Sequence, residues 1–117
     1  MDSTIHNATL NDIYFDFICD GTKTYEMRLN DKKRRDIKIG DFFKFTSKSG
    51  KTIDTKIVER LDFARFSEAI DKIGFKELMP QMENSNDVKG AYLDFEGYRE
   101  KEREFGVVVF KVCLLKE

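Results

Sequence analysis

Tryptophan is absent from this 117-residue sequence, proline and histidine occur once each, and there are two cysteines. Each scarcity excludes something. Cys19 and Cys113 show no C-x-x-C spacing and are too few for a disulfide framework, which fits a reducing compartment. One falls near the end of an amphipathic segment and the other inside an apolar run, so both are expected to be packed thiols rather than nucleophiles. With His6 as the lone histidine and no clustered thiols, no metal site is expected, and nothing in the sequence calls for a cofactor. No apolar run approaches the roughly 20 residues needed to span a bilayer. The opening "MDSTIHNATL" has neither a basic n-region nor an apolar h-region. The expectation is a cytoplasmic protein without a membrane partner, of open oligomeric state.

What is present is charge and aromatic bulk. Hydrophobic residues make up 40%, aromatics 13% and charged residues 37%, which suits one compact domain over residues 1–117 with a modest core. The formal net charge of −1 hides a segregation. Residues 1–20 hold four acids and no Lys or Arg; residues 21–60 hold twelve bases against six acids; residues 61–117 hold nine against twelve. Positive charge therefore gathers on the middle segment, including the run Lys32, Lys33, Arg34, Arg35. Such a run reads either as a solvated loop or as a phosphate contact.

Periodicity gives the coarse order of elements. "NDIYFDFICDG" places Ile13, Phe17 and Tyr14, Ile18 at helical spacing, with Asn11 as N-cap and Gly21 as the stop. "DFFKFT" alternates as a strand, "GKTIDTKIVERL" reads as a longer one with Ile53 and Ile57 on one side, and "SKSGK" is a hairpin turn between them. "RFSEAIDKIG" predicts a helix with Phe66, Ala69, Ile70 and Ile73 inward and Gly74 as its end. "VKGAYLDFEGYREKEREF" has helical spacing through Val88, Tyr92 and Phe95, weakened by Gly90 and Gly97. "GVVVFKVCLL" is nearly continuous and β-branched, the pattern of a strand covered on both faces. His6 falls on a probable edge strand with no partner identifiable. Antiparallel strands with inserted helices give an α+β fold, a small closed or nearly closed barrel decorated by helices.

The stretch "GTKTYEMRL", Gly21 to Leu29, concentrates the chemistry. In a strand, Tyr25, Met27 and Leu29 point to one face and Thr24, Glu26 and Arg28 to the other. The second face then carries a carboxylate and a guanidinium roughly 6–7 Å apart along the strand, with Lys23 just before them. That arrangement is either a solvated edge or the floor of an anion-binding cleft.

Gly21, Lys23, Glu26 and Arg28 in this stretch, followed by "IKIGDFFKF" and by "EFGVVVFKV", resemble in identity and order the motifs of the ASCH domain family, a branch of the PUA-like β-barrel superfold. The resemblance covers nearly the whole chain. It implies a small PUA-like β-barrel with peripheral helices and a side cleft floored by Lys23, Glu26 and Arg28. The family is widely proposed to bind RNA, so the implied partner is RNA, a nucleotide or a modified nucleoside. Arg offers a planar fork for phosphate or a base edge, and Glu accepts from an exocyclic amine. The basic run Lys32 to Arg35 would assist phosphate contact. Tyr25, Tyr92, Tyr98 and Phe105 are stacking candidates by residue type, with core packing as the alternative.

Two enzymatic alternatives attach to the same residues, with Lys23 and Glu26 as the catalytic candidates. Some ASCH-like proteins are similar in the glycine-lysine stretch and are amidohydrolases acting on N4-acetylcytidine, using a threonine activated by the lysine and a later glutamate. Aligned on Lys23, that threonine falls at Glu26, so the nucleophile is missing; Glu59 and Glu68 are candidates for the later acid. Ribonuclease action would need Glu26 as base and Lys23 or Arg28 as the stabilising cation. A Glu beside two cations is depressed in pKa and a poor base. A third alternative is a protein-interaction module in transcription or translation regulation, which should show an exposed apolar patch.

Overall fold

The computed structural model describes residues 3–115. Within them the elements run β1 (Ile5–Leu10), α1 (Asp12–Cys19), β2 (Tyr25–Leu29), α2 (Lys32–Arg35), β3 (Phe42–Ser47), β4 (Thr52–Phe63), α3 (Phe66–Ile73), α4 (Phe75–Leu78), α5 (Ser85–Leu93), α6 (Tyr98–Phe105) and β5 (Val107–Leu114). The strands form one sheet in the order β1-β3-β4-β5-β2. The β1–β3 pair is parallel and the other three pairs are antiparallel.

β5 is the spine, and its composition explains why. Val108, Phe110 and Val112 enter one cluster with Phe43 and Phe45 of β3, Ile57 of β4, and Phe15 and Ile18 of α1. Val107 and Val109 enter the other, with Met27 and Leu29 of β2 and Phe66, Ile70, Leu78 and Val88 of the helices. A strand with helices on one side and a curled sheet on the other needs apolar residues at every position, as the "GVVVFKV" run supplies. Around Phe43 the packing is aromatic, with ring centroids 5.0 Å from Phe45 and 5.1 Å from Phe110.

The expected α+β barrel with peripheral helices is present as a five-stranded, curled half-barrel. Its ladder does not close. β1 and β2 are the edges of the hydrogen-bonded order, and among the described hydrogen bonds the link across the seam is a side chain, Arg28 Nη2 donating to the carbonyl of Thr9 at 3.1 Å. An edge left open in this way is where a sheet remains free to meet another molecule.

Other sequence expectations need correction. The segment 88–105 is two helices: α5 ends at Leu93 and α6 starts after Gly97, whose φ of +79 is left-handed and cannot continue a helix. The run Lys32 to Arg35 is a helical turn rather than a loop: Asp31 caps it by accepting from the Arg34 N–H. In α1 the buried side chains are Phe15 and Ile18, whereas Ile13 is exposed. Both cysteines are exposed rather than packed; Cys113 lies on the face of β5 opposite Val112 and Leu114, paired with exposed Lys56. His6 has a partner after all: its Nε2 lies 2.9 Å from Asp41 Oδ2. Asp41 also accepts from the N–H groups of Lys38 and Thr4, so the Gly40–Asp41 turn ties the edge strand β1 to the start of β3.

Candidate functional site

The "KTYEMR" segment is built as alternation predicts, with one difference that decides its chemistry. Glu26 pairs with Phe110 and Arg28 with Val108 across the β2–β5 ladder, which puts both charged side chains on the inner face of the curl rather than in water. Glu26 is 4% and Lys23 2% exposed. The separation expected along the strand is abolished because both side chains bend together: Arg28 Nη2 sits 2.6 Å from Glu26 Oε2, and Arg28 Nε donates to the same oxygen at 2.8 Å. Lys23 Nζ lies 3.4 Å from Glu26 Oε1.

The three charges are thus a buried cluster with its polar atoms largely consumed. Lys23 Nζ donates to the carbonyls of Tyr25 and Leu78 as well as approaching Glu26, which uses all three ammonium protons. Burial pulls the Lys23 ammonium below its ordinary value, against the opposing pull of Glu26. For Glu26, burial pushes the carboxyl up, yet Arg28 and Lys23 together outweigh it and hold the group below its ordinary value. Burial likewise works against the Arg28 guanidinium, but Glu26 raises it further. No buried side-chain nitrogen or oxygen among the described residues lacks a partner.

Above this cluster, along the free edge of β2, opens a cleft of about 290 Å³. Glu26 and Arg28 form its floor, Thr9, Asn11 and Tyr14 one wall, and Tyr92, Phe95 and Tyr98 the other. The ring of Tyr92 stacks on buried Phe66 at 4.8 Å, and its hydroxyl donates to the carbonyl of Met27 at 3.1 Å, so that wall is fixed. Burial pushes the Tyr92 phenol well above its ordinary value. Tyr14 carries Lys23 Nζ 5.9 Å from its ring centroid, and its hydroxyl accepts from Gln81 Nε2 at 2.8 Å. Phe95 stands at the rim, 59% exposed, tilted against Tyr98 at 5.2 Å. Arg28 Nη1 makes no hydrogen bond among the described residues, so one arm of the fork remains to meet a ligand.

The sequence candidates divide accordingly. Lys23, Glu26 and Arg28 come together, and Tyr92 and Tyr98 join them. Tyr25 does not; it lies under Lys111, whose Nζ is 5.5 Å from its ring. Of the basic turn, Arg34 is paired with Asp31 at 2.9 Å and Arg35 Nε donates to the carbonyl of Asn30, leaving Lys32 and Lys33 exposed and without an acidic partner among the described residues. Glu68 is spent on the helix end, accepting from the Arg65 N–H at 3.1 Å. Glu59 lies exposed on β4 beside a register shift and is not among the cleft residues. Missed by sequence reasoning were Tyr14, Asn11 and Thr9, which reach the cleft because β1 and α1 lie across the seam from β2; Tyr14 sits on the helical stripe that marked it for the core. Among the described residues no three His, Cys, Asp or Glu side chains gather in a way that would hold a metal ion, and no helix is long and apolar enough to cross a membrane.

No curated protein matches the chain in sequence. Among solved structures, the crystal structure of hypothetical protein PH0355 is similar over 96% of this chain and 100% of its own, at 28% identity and a TM-score of 0.86. The solution NMR structure of protein PF0455 from Pyrococcus furiosus is similar over 97% of this chain and 100% of its own, at 25% identity and a TM-score of 0.76. The ASCH domain profile matches residues 9–116, a span that takes in the charged strand, the Gly40–Asp41 turn and β5. With nearly the whole chain matched, the protein belongs to the ASCH domain family.

Proposed function

We propose that this protein binds single-stranded RNA in the cytoplasm, taking a base or a modified nucleoside into the cleft at the β1–β2 seam and the adjoining phosphate on Arg28 and the basic turn. One observation carries the reading: Arg28 borders the aromatic cleft and also the depression that holds Lys32, Lys33 and Arg34, so a stacking surface and a cationic surface meet at a guanidinium with a free arm. Aromatic walls accept any exposed base face, and a charge track follows the backbone. The two free, exposed thiols suit a reducing compartment.

A hydrolytic role for Lys23 and Glu26 is less well supported. A general base needs a free lone pair and a pKa near the working pH, whereas Glu26 is held low and faces two cations. Lys23 has no proton or lone pair left to activate a nucleophile. The cluster is better suited to setting the angle of Arg28 than to moving protons.

The test is fluorescence anisotropy of a labelled mixed-sequence single-stranded RNA, titrated with the wild type and with Arg28→Lys at low and near-physiological salt. The lysine keeps the charge but loses the fork. Salt-sensitive binding by the wild type, weakened in the variant while its circular dichroism spectrum is retained, is the expected result. Absence of binding at low salt would overturn the reading and turn attention to the apolar groove of Val58, Val112 and Leu114, where a protein partner would find hydrophobic surface.

A further inference from the structure

A second depression, of about 330 Å³, adjoins the cleft and shares two of its residues, Arg28 and Tyr98. Its remaining lining is Lys32, Lys33 and Arg34 on the basic turn with Asp31, Leu29, and Lys101 and Phe105 of α6. Both depressions thus meet at one wall. The second one carries unpaired cations where those of the first are mostly spent on Glu26: Lys32, Lys33 and Lys101 are exposed and have no acidic partner among the described residues, and the local carboxylate, Asp31, is occupied by Arg34. It also has aromatic surface, since Tyr98 and Phe105 are among its lining residues, with Lys101 Nζ 5.9 Å from the Tyr98 ring centroid.

We infer that this depression is a second nucleotide subsite, so that the ligand is an oligonucleotide of at least two residues rather than a free nucleoside. The inference rests on the reading of the first cleft as a base site. One base occupies the cleft beside Tyr92 and Tyr98, the connecting phosphate lies on the free arm of Arg28, and the next nucleotide enters the depression, its phosphate on Lys32, Lys33 and Lys101 and its base against Phe105. Two cells joined through a shared Arg and a shared Tyr fit a repeating unit of phosphate and base, whereas a single nucleoside would leave the lysine cell unused. Lys101 is the member that sequence reading did not single out: on a helix of alternating charge it reads as one of many surface pairs, and only the approach of α6 to α2 sets it facing the basic turn.

Competition against a fluorescein-labelled hexanucleotide RNA separates the possibilities, using mixed-sequence 5′-phosphorylated mononucleotides and dinucleotides as competitors of the full chain. The dinucleotides are expected to compete about tenfold more strongly, one aromatic stacking contact plus a phosphate contact being worth at least that. In Lys101→Ala the dinucleotides lose more affinity than the mononucleotides, so the dinucleotide advantage shrinks. Equal competition by one and two nucleotides, or equal weakening of both by Lys101→Ala, would remove the second subsite and leave the first standing. Failure of the hexanucleotide itself to bind would remove both.

Discussion

Glu26 is the residue on which the site depends, because it is the one anion between two cations and is itself almost wholly buried. Taking a charge out of water costs several kcal/mol per ion and is recovered only by good partners. Glu26 has them in Arg28 at 2.6 Å and Lys23 at 3.4 Å. Glu26→Ala strands the buried Lys23 and the half-buried Arg28 and is expected to lower stability by about 3–5 kcal/mol in urea unfolding; a loss under about 1 kcal/mol would show that the cluster is not what holds this strand in place. The pH dependence follows from the same contacts. Glu26 and Asp41 are both held below their ordinary values of 4.5 and 3.8. When the folded value is the lower one, the unfolded chain binds protons first as pH falls. The stabilisation is therefore complete above the unfolded values and is lost on descending through the folded ones. The urea midpoint should hold level from neutrality to about pH 5 and decline below it, with a shallower decline in Glu26→Gln than in the wild type; parallel declines would remove Glu26 as a contributor.

At the scale of elements, the connections carry as much of the site as the strands do. The basic turn α2 is fastened by Arg60 of β4, which donates to the carbonyls of Arg34 and Ile37 at 2.7 and 2.8 Å and to Asn30 Oδ1 at 3.0 Å. Its guanidinium also lies 5.4 Å from the Phe110 ring centroid. Arg60 thus holds the basic turn against the sheet without touching the cleft. The junction of α6 and β5 is equally constrained. Gly106 has φ +74, and a Cβ there would come 2.9 Å from the backbone oxygen of Phe63, while its own carbonyl accepts from the Asn30 N–H at 3.0 Å. Gly106→Ala must both adopt a disfavoured backbone and displace β4, and is expected to cost about 1–3 kcal/mol or more. Gly50→Ala, at φ +97 but with nothing within 4 Å, bears the backbone strain alone. Thermal unfolding should rank Gly106→Ala as the more destabilised; the reverse order would mean the close approach relaxes at no cost.

For the whole molecule, an overall charge of −1 coexists with a basic surface formed by α2 and Lys101, so RNA affinity should depend steeply on salt although the protein is slightly acidic. Each single-strand phosphate contact contributes roughly 0.7 to the slope of log affinity against log salt. The double variant Lys32→Ala/Lys33→Ala should therefore reduce the slope by about 1.4, measured by anisotropy over a salt series; an unchanged slope would take the turn out of the interface. The sequence by itself determined the α+β class, the two-sided burial of β5, the grouping of Lys23, Glu26 and Arg28, and the family, because those follow from local periodicity and from residues close together in the chain. The two-residue alternation of β2 was enough to put Glu26 and Arg28 on one face. Tertiary structure decided everything that needed two distant segments to meet. It turned that charged face inward and so drew the three candidates into a cluster in which Lys23 and Glu26 are buried and Arg28 keeps one free arm. It set Thr9 and Tyr14 opposite Tyr92 and Tyr98 across an unclosed seam, and it brought Lys101 to the basic turn. None of these is legible locally, since side-chain periodicity reports which face of an element is apolar but not what another element places against its polar face.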